Sequence, residues 1–233
     1  MGKKIISFSL YGDDPKYYLG AEKNIEEARE IYPDWILRFY CSKDVPNLEK
    51  IKNTKDIEVI ILDNNEIPPV YARFLAIDDE DIDVVLIRDC DSIINYREKA
   101  AVEEWLKSDK ILHTMHDHNA GHYDPIMAGM WGIKIKEKID IKKKIYSFIY
   151  ENDRLNYKYR DDQFFLKEYI LKQFEASWLD HNSTSKFRFE QSINFPDHKP
   201  IKYGKFVGQI IYPTYYIYME KRNKNKLFSL NFN

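Results

Sequence analysis

Only two cysteines, Cys41 and Cys90, occur in 233 residues. A disulfide framework is therefore excluded as the organising principle, and a reducing compartment is the expected setting: cytoplasm, or host cytoplasm for a viral chain. No apolar run approaches the roughly 20 residues that cross a bilayer. Positive charge is not in excess, with 36 Lys and Arg against 38 Asp and Glu. Duplex nucleic acid, which requires a basic surface, is thereby excluded as a partner. Glycine is sparse, and neither a Gly/Ser-rich linker nor an internal repeat divides the chain, so one domain over residues 1–233 is expected. The start, Met1-Gly2-Lys3-Lys4 followed by Ile5-Ile6-Ser7-Phe8, is basic and then apolar like a leader. Ser7 interrupts the apolar stretch and no small-residue cleavage site follows, so it reads as a first strand.

Hydrophobic residues make up 44% of the sequence and charged ones 32%, a globular balance. Aromatics, mostly tyrosine, reach 15% and suit a sheet core or a pocket for rings. Ile5 to Tyr11 ends at Gly12-Asp13-Asp14-Pro15, a strand and a turn. Tyr17, Ala21, Ile25, Ala28 and Ile31 share one helical face, and Pro33 closes that helix. Trp35–Cys41 and Ile57–Leu62 read as strands, Val70–Ile77 as a short helix, and Val84–Ile87 as a fourth buried strand. This alternation predicts a mostly parallel sheet covered by helices, with ligands beyond the carboxyl ends of the strands. Arg97–Lys107, Asp140–Tyr150 and Asp161–Phe174 follow as helices. The His- and Gly-rich stretch His113–Gly132 reads as a loop, and the chain from Ser177 onward lacks clear periodicity.

The fourth strand runs into Arg88-Asp89-Cys90-Asp91-Ser92. In an extended segment, side chains two apart share a face, so Asp89 and Asp91 would point together and Cys90 into the core. Paired carboxylates at a strand end suit a hard cation, Mn²⁺ or Mg²⁺, shared with substrate phosphates. Arg88 and Lys205 are candidate phosphate partners, and Tyr11, beside Gly12, is a candidate to stack on a base. The histidines at 113, 116, 118 and 122 do not follow a helical zinc spacing, and with Asp117 and Asp124 they equally suit a polar sugar-binding loop.

Val84–Ser92 resembles the donor-binding strand and Asp-x-Asp motif of GT-A type glycosyltransferases. Arg97–Leu106 is similar to the helix that follows this motif in viral (chlorovirus-like) and bacterial polysaccharide-building members. Ile126-Met-Ala-Gly-Met-Trp-Gly132 and Asp161-Asp-Gln-Phe-Phe-Leu166 occur in matching order, so the resemblance covers about residues 5 to 208. It implies a Rossmann-like GT-A fold, with a nucleotide-binding half at 1–92, an acceptor and sugar half at 93–210, and a tail at 211–233. It also implies a hexosyl- or deoxyhexosyltransferase that takes a nucleotide sugar, with UDP the expected nucleotide, and transfers to a glycan or glycoprotein. Asp89 and Asp91 would hold the metal with His181 as third ligand. Gly129 would lie under the sugar or acceptor. Asp162, directly before Gln163, would act on the sugar; the pair and the late His lean toward retention of configuration, while an Asp at a helix start also suits an inverting base. Asp161 would turn away along the helix.

Two other classes also use paired Asp after a strand. Among Mg²⁺-dependent nucleotidyltransferases, a sugar-nucleotide pyrophosphorylase would show a Gly-rich basic signature near its N-terminus, whereas this first turn is acidic. An Asp-nucleophile phosphatase would carry the motif after its first strand, not its fourth. A noncatalytic sugar-binding relative would not need Asp89, Asp91 and Asp162 together. The run Tyr212–Tyr218 with the basic residues 221–224 suggests at most a weak peripheral membrane contact.

Overall fold

The computed structural model describes residues 2–63, 66–151, 158–186, 188–196 and 201–214. Most of the tyrosine-rich run and all of the basic stretch at 221–224 lie outside the described residues.

Strand β1, Lys3–Leu10, buries six consecutive residues from Ile5, as a central parallel strand must. Helix α1, Pro15–Ile31, starts where the Asp14 carboxylate accepts from the Lys16 amide at 3.0 Å, with Pro15 in its first turn. Strand β2, Ile36–Cys41, a short helix α2, Leu48–Lys52, and β3, Ile57–Ile61, follow. A 3-10 helix, Pro69–Asp78, leads to β4, Ile82–Arg88, and then to α3, Tyr96–Lys107, capped by the Asn95 side chain. The stretch expected to be a loop contains two fully buried strands, β5, Leu112–His116, and β6, Met130–Lys134. Helix α4, Ile141–Glu151, precedes α5, Asp161–Phe165, which passes through a π segment, Leu166–Leu171, into α6, Lys172–Phe174. The aperiodic end supplies β7, Trp178–Asn182, and β8, Ser192–Ile193.

All eight strands form one sheet in the order β3-β2-β1-β4-β6-β5-β7-β8. Every pairing is parallel except the two made by β6, which runs antiparallel to β4 and β5. Alternation along the central strands divides the core between the two faces. Ile5, Val85 and Ile87 join the 3-10 helix, α4 and α5 on one side. Ile6, Phe8, Leu10, Val84 and Leu86 pack on α1 and α3 on the other. The chain leaves β1 outward through β2 and β3, then returns to β4 on the opposite flank. The sheet therefore has its switch point between β1 and β4, where a crevice opens at the carboxyl ends.

Candidate active site

The segment after β4 is a turn rather than a continued strand, so alternation is not what orients Asp89 and Asp91. Helix α1 shapes it instead. The fully buried Asn24 side chain donates to the carbonyls of Cys90 at 3.3 Å and Ser92 at 2.9 Å, and accepts from the Ile94 amide at 3.0 Å. Gly20 lets the helix lie against the turn; a Cβ there would sit 2.0 Å from the Cys90 carbonyl oxygen. Cys90 faces inward as expected, its thiol 3.4 Å from the Ser9 carbonyl.

Asp89 and Asp91 both line a cavity of about 750 Å³ at the switch point. Asp91 is nearly buried, and its carboxyl is pushed up to about 6, first by burial and then by the charge of Asp89. Lys16, from the first turn of α1, lies 3.6 Å from Asp91 and offsets part of that repulsion. Asp89 is more open, and Gly129 approaches it so closely that a Cβ would fall 2.0 Å from its carboxylate oxygen.

Arg73, on the 3-10 helix, was not singled out by the sequence, yet it organises the site. Its guanidinium is buried; one terminal nitrogen meets Asp89, and the other donates to Asp162 at 3.0 Å. Its backbone is pinned to β1, where the Ser9 hydroxyl accepts from the Arg73 amide at 3.0 Å and the Ser7 hydroxyl donates to its carbonyl at 2.7 Å. Burial pushes the Asp162 carboxyl up, and the adjacent Arg73 charge opposes that shift. Asp162 and Gln163 both line the cavity, whereas Asp161 lies outside it and accepts from the Lys158 amide at 2.8 Å.

Tyr11 stands at the cavity wall at the end of β1, with its hydroxyl pushed up to about 12 by burial. Three expectations need correction. Arg88 is no phosphate partner: its side chain turns into the core, pairs with the buried Glu98 at 3.0 Å and donates to the Ile87 and Trp131 carbonyls. Lys205 is exposed and outside the cavity wall, because left-handed turns at Gly204 and Gly208 present Phe206, Gly208 and Gln209 there instead. His181 is fully buried in β7, 2.8 Å from His113 and 3.5 Å from Glu104, and does not line the cavity. His181→Ala is accordingly expected to lower stability while leaving Mn²⁺ affinity unchanged; an isothermal titration showing lost cation binding in a folded variant would restore His181 as a ligand. Among the described residues, no group of three or more His, Cys, Asp or Glu side chains is arranged around a metal position, which removes the zinc reading of the histidines.

The two carboxylates nevertheless fit a hard divalent cation. They share one cavity, and two carboxylates brought together there would be stabilised by a cation between them. Mn²⁺ and Mg²⁺ commonly complete their shells with water and substrate phosphate rather than with a full set of protein ligands.

No protein-family model matches the chain, and no curated protein matches it. Among solved structures, a mannosyltransferase from Pyrobaculum calidifontis, in complex with GDP-Man and Mn²⁺, aligns with TM-score 0.52 at 10% identity, over 84% of this chain and 58% of that one. A glycosyltransferase involved in glycosylation of the PBCV-1 major capsid aligns with TM-score 0.47 at 20% identity, over 77% of this chain and 82% of the other. A 4-diphosphocytidyl-2C-methyl-D-erythritol synthase from Anaerococcus prevotii aligns with TM-score 0.49 at 10% identity, over 96% and 97%. In its sheet, its flanking helices and its likeness to the mannosyltransferase, the chain has a GT-A type α/β fold.

Proposed function

We propose that the chain is a glycosyltransferase that moves a sugar from a nucleoside-diphosphate donor, UDP-linked, to a hydroxyl of a glycan, and that it depends on Mn²⁺ or Mg²⁺. The observation that carries this reading is the joining of three carboxylates in one switch-point cavity. Asp89 and Asp91 sit at the end of β4, and Asp162 is tied to Asp89 through Arg73. In transfer, the bond from the anomeric carbon to the diphosphate oxygen breaks and a bond to the acceptor oxygen forms. The acceptor's proton leaves to the diphosphate or to buffer.

Asp89 and Asp91 would hold the cation, which neutralises charge on the departing diphosphate. Lys16, beside Asp91 at the start of α1, adds a fixed positive charge on the same side. Tyr11 offers a ring to the base. Residues 1–92 would thus supply the nucleotide side and residues 93–210 most of the sugar side. Asp162 already accepts from Arg73 and from the Gln163 amide at 3.0 Å. A carboxylate held this way positions a sugar hydroxyl better than it removes a proton, which favours retention of configuration.

Titration of UDP in Mn²⁺ and again in EDTA tests the proposal; equal affinity in both would remove the cation. Asp162→Asn should keep that UDP affinity yet cut transfer by about 100-fold or more, the scale of a positioned polar group at the reacting centre. Asp161→Asn should do far less. Loss of nucleotide binding together with activity in Asp162→Asn would move that residue to the nucleotide side.

A further inference from the structure

Strand β3 closes one end of the sheet, and among the described residues only β2 pairs with it. Its other edge lacks the features that usually keep a strand edge from pairing further. Ile57–Ile61 contains no Pro and no Lys, runs beside β2 without a bulge, and leaves Ile60 38% exposed. Its one charge, Glu58, is already engaged, since the Arg38 Nε on β2 donates to its carboxylate at 2.6 Å.

The ladder shows which backbone groups face outward. The Leu62 amide donates to the Cys41 carbonyl at 2.8 Å, so Leu62 turns its polar backbone toward β2. That direction alternates along a strand. Glu58 and Ile60 therefore also turn toward β2, while Ile57, Val59 and Ile61 present N–H and C=O at the free edge. The side chains of these same three residues pack against the α1 side of the core, which sets apolar surface beside the outward groups.

A second copy of the strand fits this edge in one register. Antiparallel pairing about a two-fold axis at Val59 sets Val59 against Val59 and Ile57 against Ile61. Every outward residue then falls in a facing pair that exchanges N–H···O bonds, with Cα atoms about 5.5 Å apart. The same axis brings Lys55, exposed in the turn before the strand, alongside Asp63, exposed just past the strand end of the other copy. Symmetry makes this contact twice. Asp63 meets Lys43 of its own chain at 2.6 Å, but its side chain is 73% exposed and stays open to a second cation. Shifting the register by one pleat in either direction drops an outward residue from the ladder and parts Lys55 from Asp63.

We propose that β3 is a homodimer interface, at which two copies of this chain pair edge to edge, antiparallel about Val59, into one continuous sheet. The dimer goes beyond the transferase reading and does not depend on it. The crevice between β1 and β4 lies beyond β2 from this edge, and antiparallel pairing turns the two crevices to opposite ends of the joint sheet. The contact is a single strand pair, so its dissociation constant should fall in the roughly micromolar range of small interfaces.

Sedimentation equilibrium of the full chain, from well below to well above that range, tests the proposal. A monomer–dimer equilibrium is expected. Val59→Pro removes an amide that faces the free edge, a position where an edge strand tolerates proline. It should sediment as monomer throughout and melt close to wild type at a concentration where the wild type is itself monomeric. Lys55→Glu should weaken association by about tenfold, because it sets like charges together. Adding Asp63→Lys to it should restore association, since exchanging both partners keeps the pairing in a symmetric dimer. A wild type that stays monomeric at the highest concentration, or a folded Val59→Pro that still dimerises, would overturn the proposal. Where Val59→Pro does not fold, the charge series decides: unchanged association in Lys55→Glu, or a double variant no better than the single one, overturns it equally.

Discussion

If Asp91 holds the cation as proposed, Asp91→Asn is expected to lower Mn²⁺-dependent UDP affinity by about 100-fold or more, since loss of an outer-shell partner alone costs 10- to 100-fold. Cys90→Ala, one residue away but packed against Ser9, should keep near wild-type cation affinity. The same Asp91 change should stabilise the metal-free protein. The native carboxyl sits at about 6, above the ordinary value for an unfolded chain. Ionising it in the folded state is therefore a penalty that is absent below about pH 4, grows as pH rises to about 6, and is complete above. Removing it should raise unfolding free energy by roughly 3 kcal/mol at pH 8 and by only about 1 kcal/mol at pH 4.5. Urea denaturation in EDTA at the two pH values reads the difference. A variant no more stable than wild type at pH 8 would show that Asp91 is not held there against its charge.

Arg73→Met should be the most damaging single change among the cavity residues. It leaves Asp162 buried without its cationic partner and frees Asp89 from its fixed orientation. Breaking a buried pair from one side costs about 3–5 kcal/mol, and the solvent access of Asp89 places this case at the lower end. Transfer should fall by about 100-fold or more in the protein that remains folded, because the cation side and the sugar side are no longer joined. Arg73→Lys should rescue little, since one ammonium cannot reproduce the two-armed bridge. Combining Arg73→Met with Asp162→Asn should recover part of the stability, because the second change removes the charge that the first left unpaired. Strictly additive losses in that double-mutant cycle would mean the two side chains do not work as a unit.

These residues also mark how far the sequence could be read. The nucleotide half was legible because each of its strands is a local apolar run, and because Asp14, Pro15 and the Ile25–Ala28–Ile31 face announce α1 within a few positions. The acidic motif was legible as the end of such a run. Strands β5 and β7 were not, since Leu-His-Thr-Met-His and Trp-Leu-Asp-His-Asn bury polar side chains that only a distant partner can satisfy. Asp180 takes hydrogen bonds from Thr114, His116, Asn182 and Ser192, most of them far along the chain. Arg73 was invisible for the same reason: its carboxylates lie 16 and 89 positions away. His181 shows the reverse error, a residue whose type suited a metal but whose surroundings, His113 and the interior of β7, do not. Asp162 and Gln163 were singled out through pattern order, while the Arg73 bridge from Asp162 to Asp89 needed the fold.

The π segment sets a different constraint, on chain length. Phe165 and Ile170 are both fully buried in the same core although five positions apart, a spacing that a regular α-helix would send to different sides and that a π turn brings together. Asp162 lies on the turn just before Phe165, so its place in the cavity depends on that extra residue. Loss of a single codon between 166 and 171 would regularise the helix and improve its local hydrogen bonding. It would also force a choice between keeping the Asp162–Phe165 turn in place and burying Ile170 and the helix that follows. In-frame deletions here should therefore be selected against more strongly than most substitutions of the same residues.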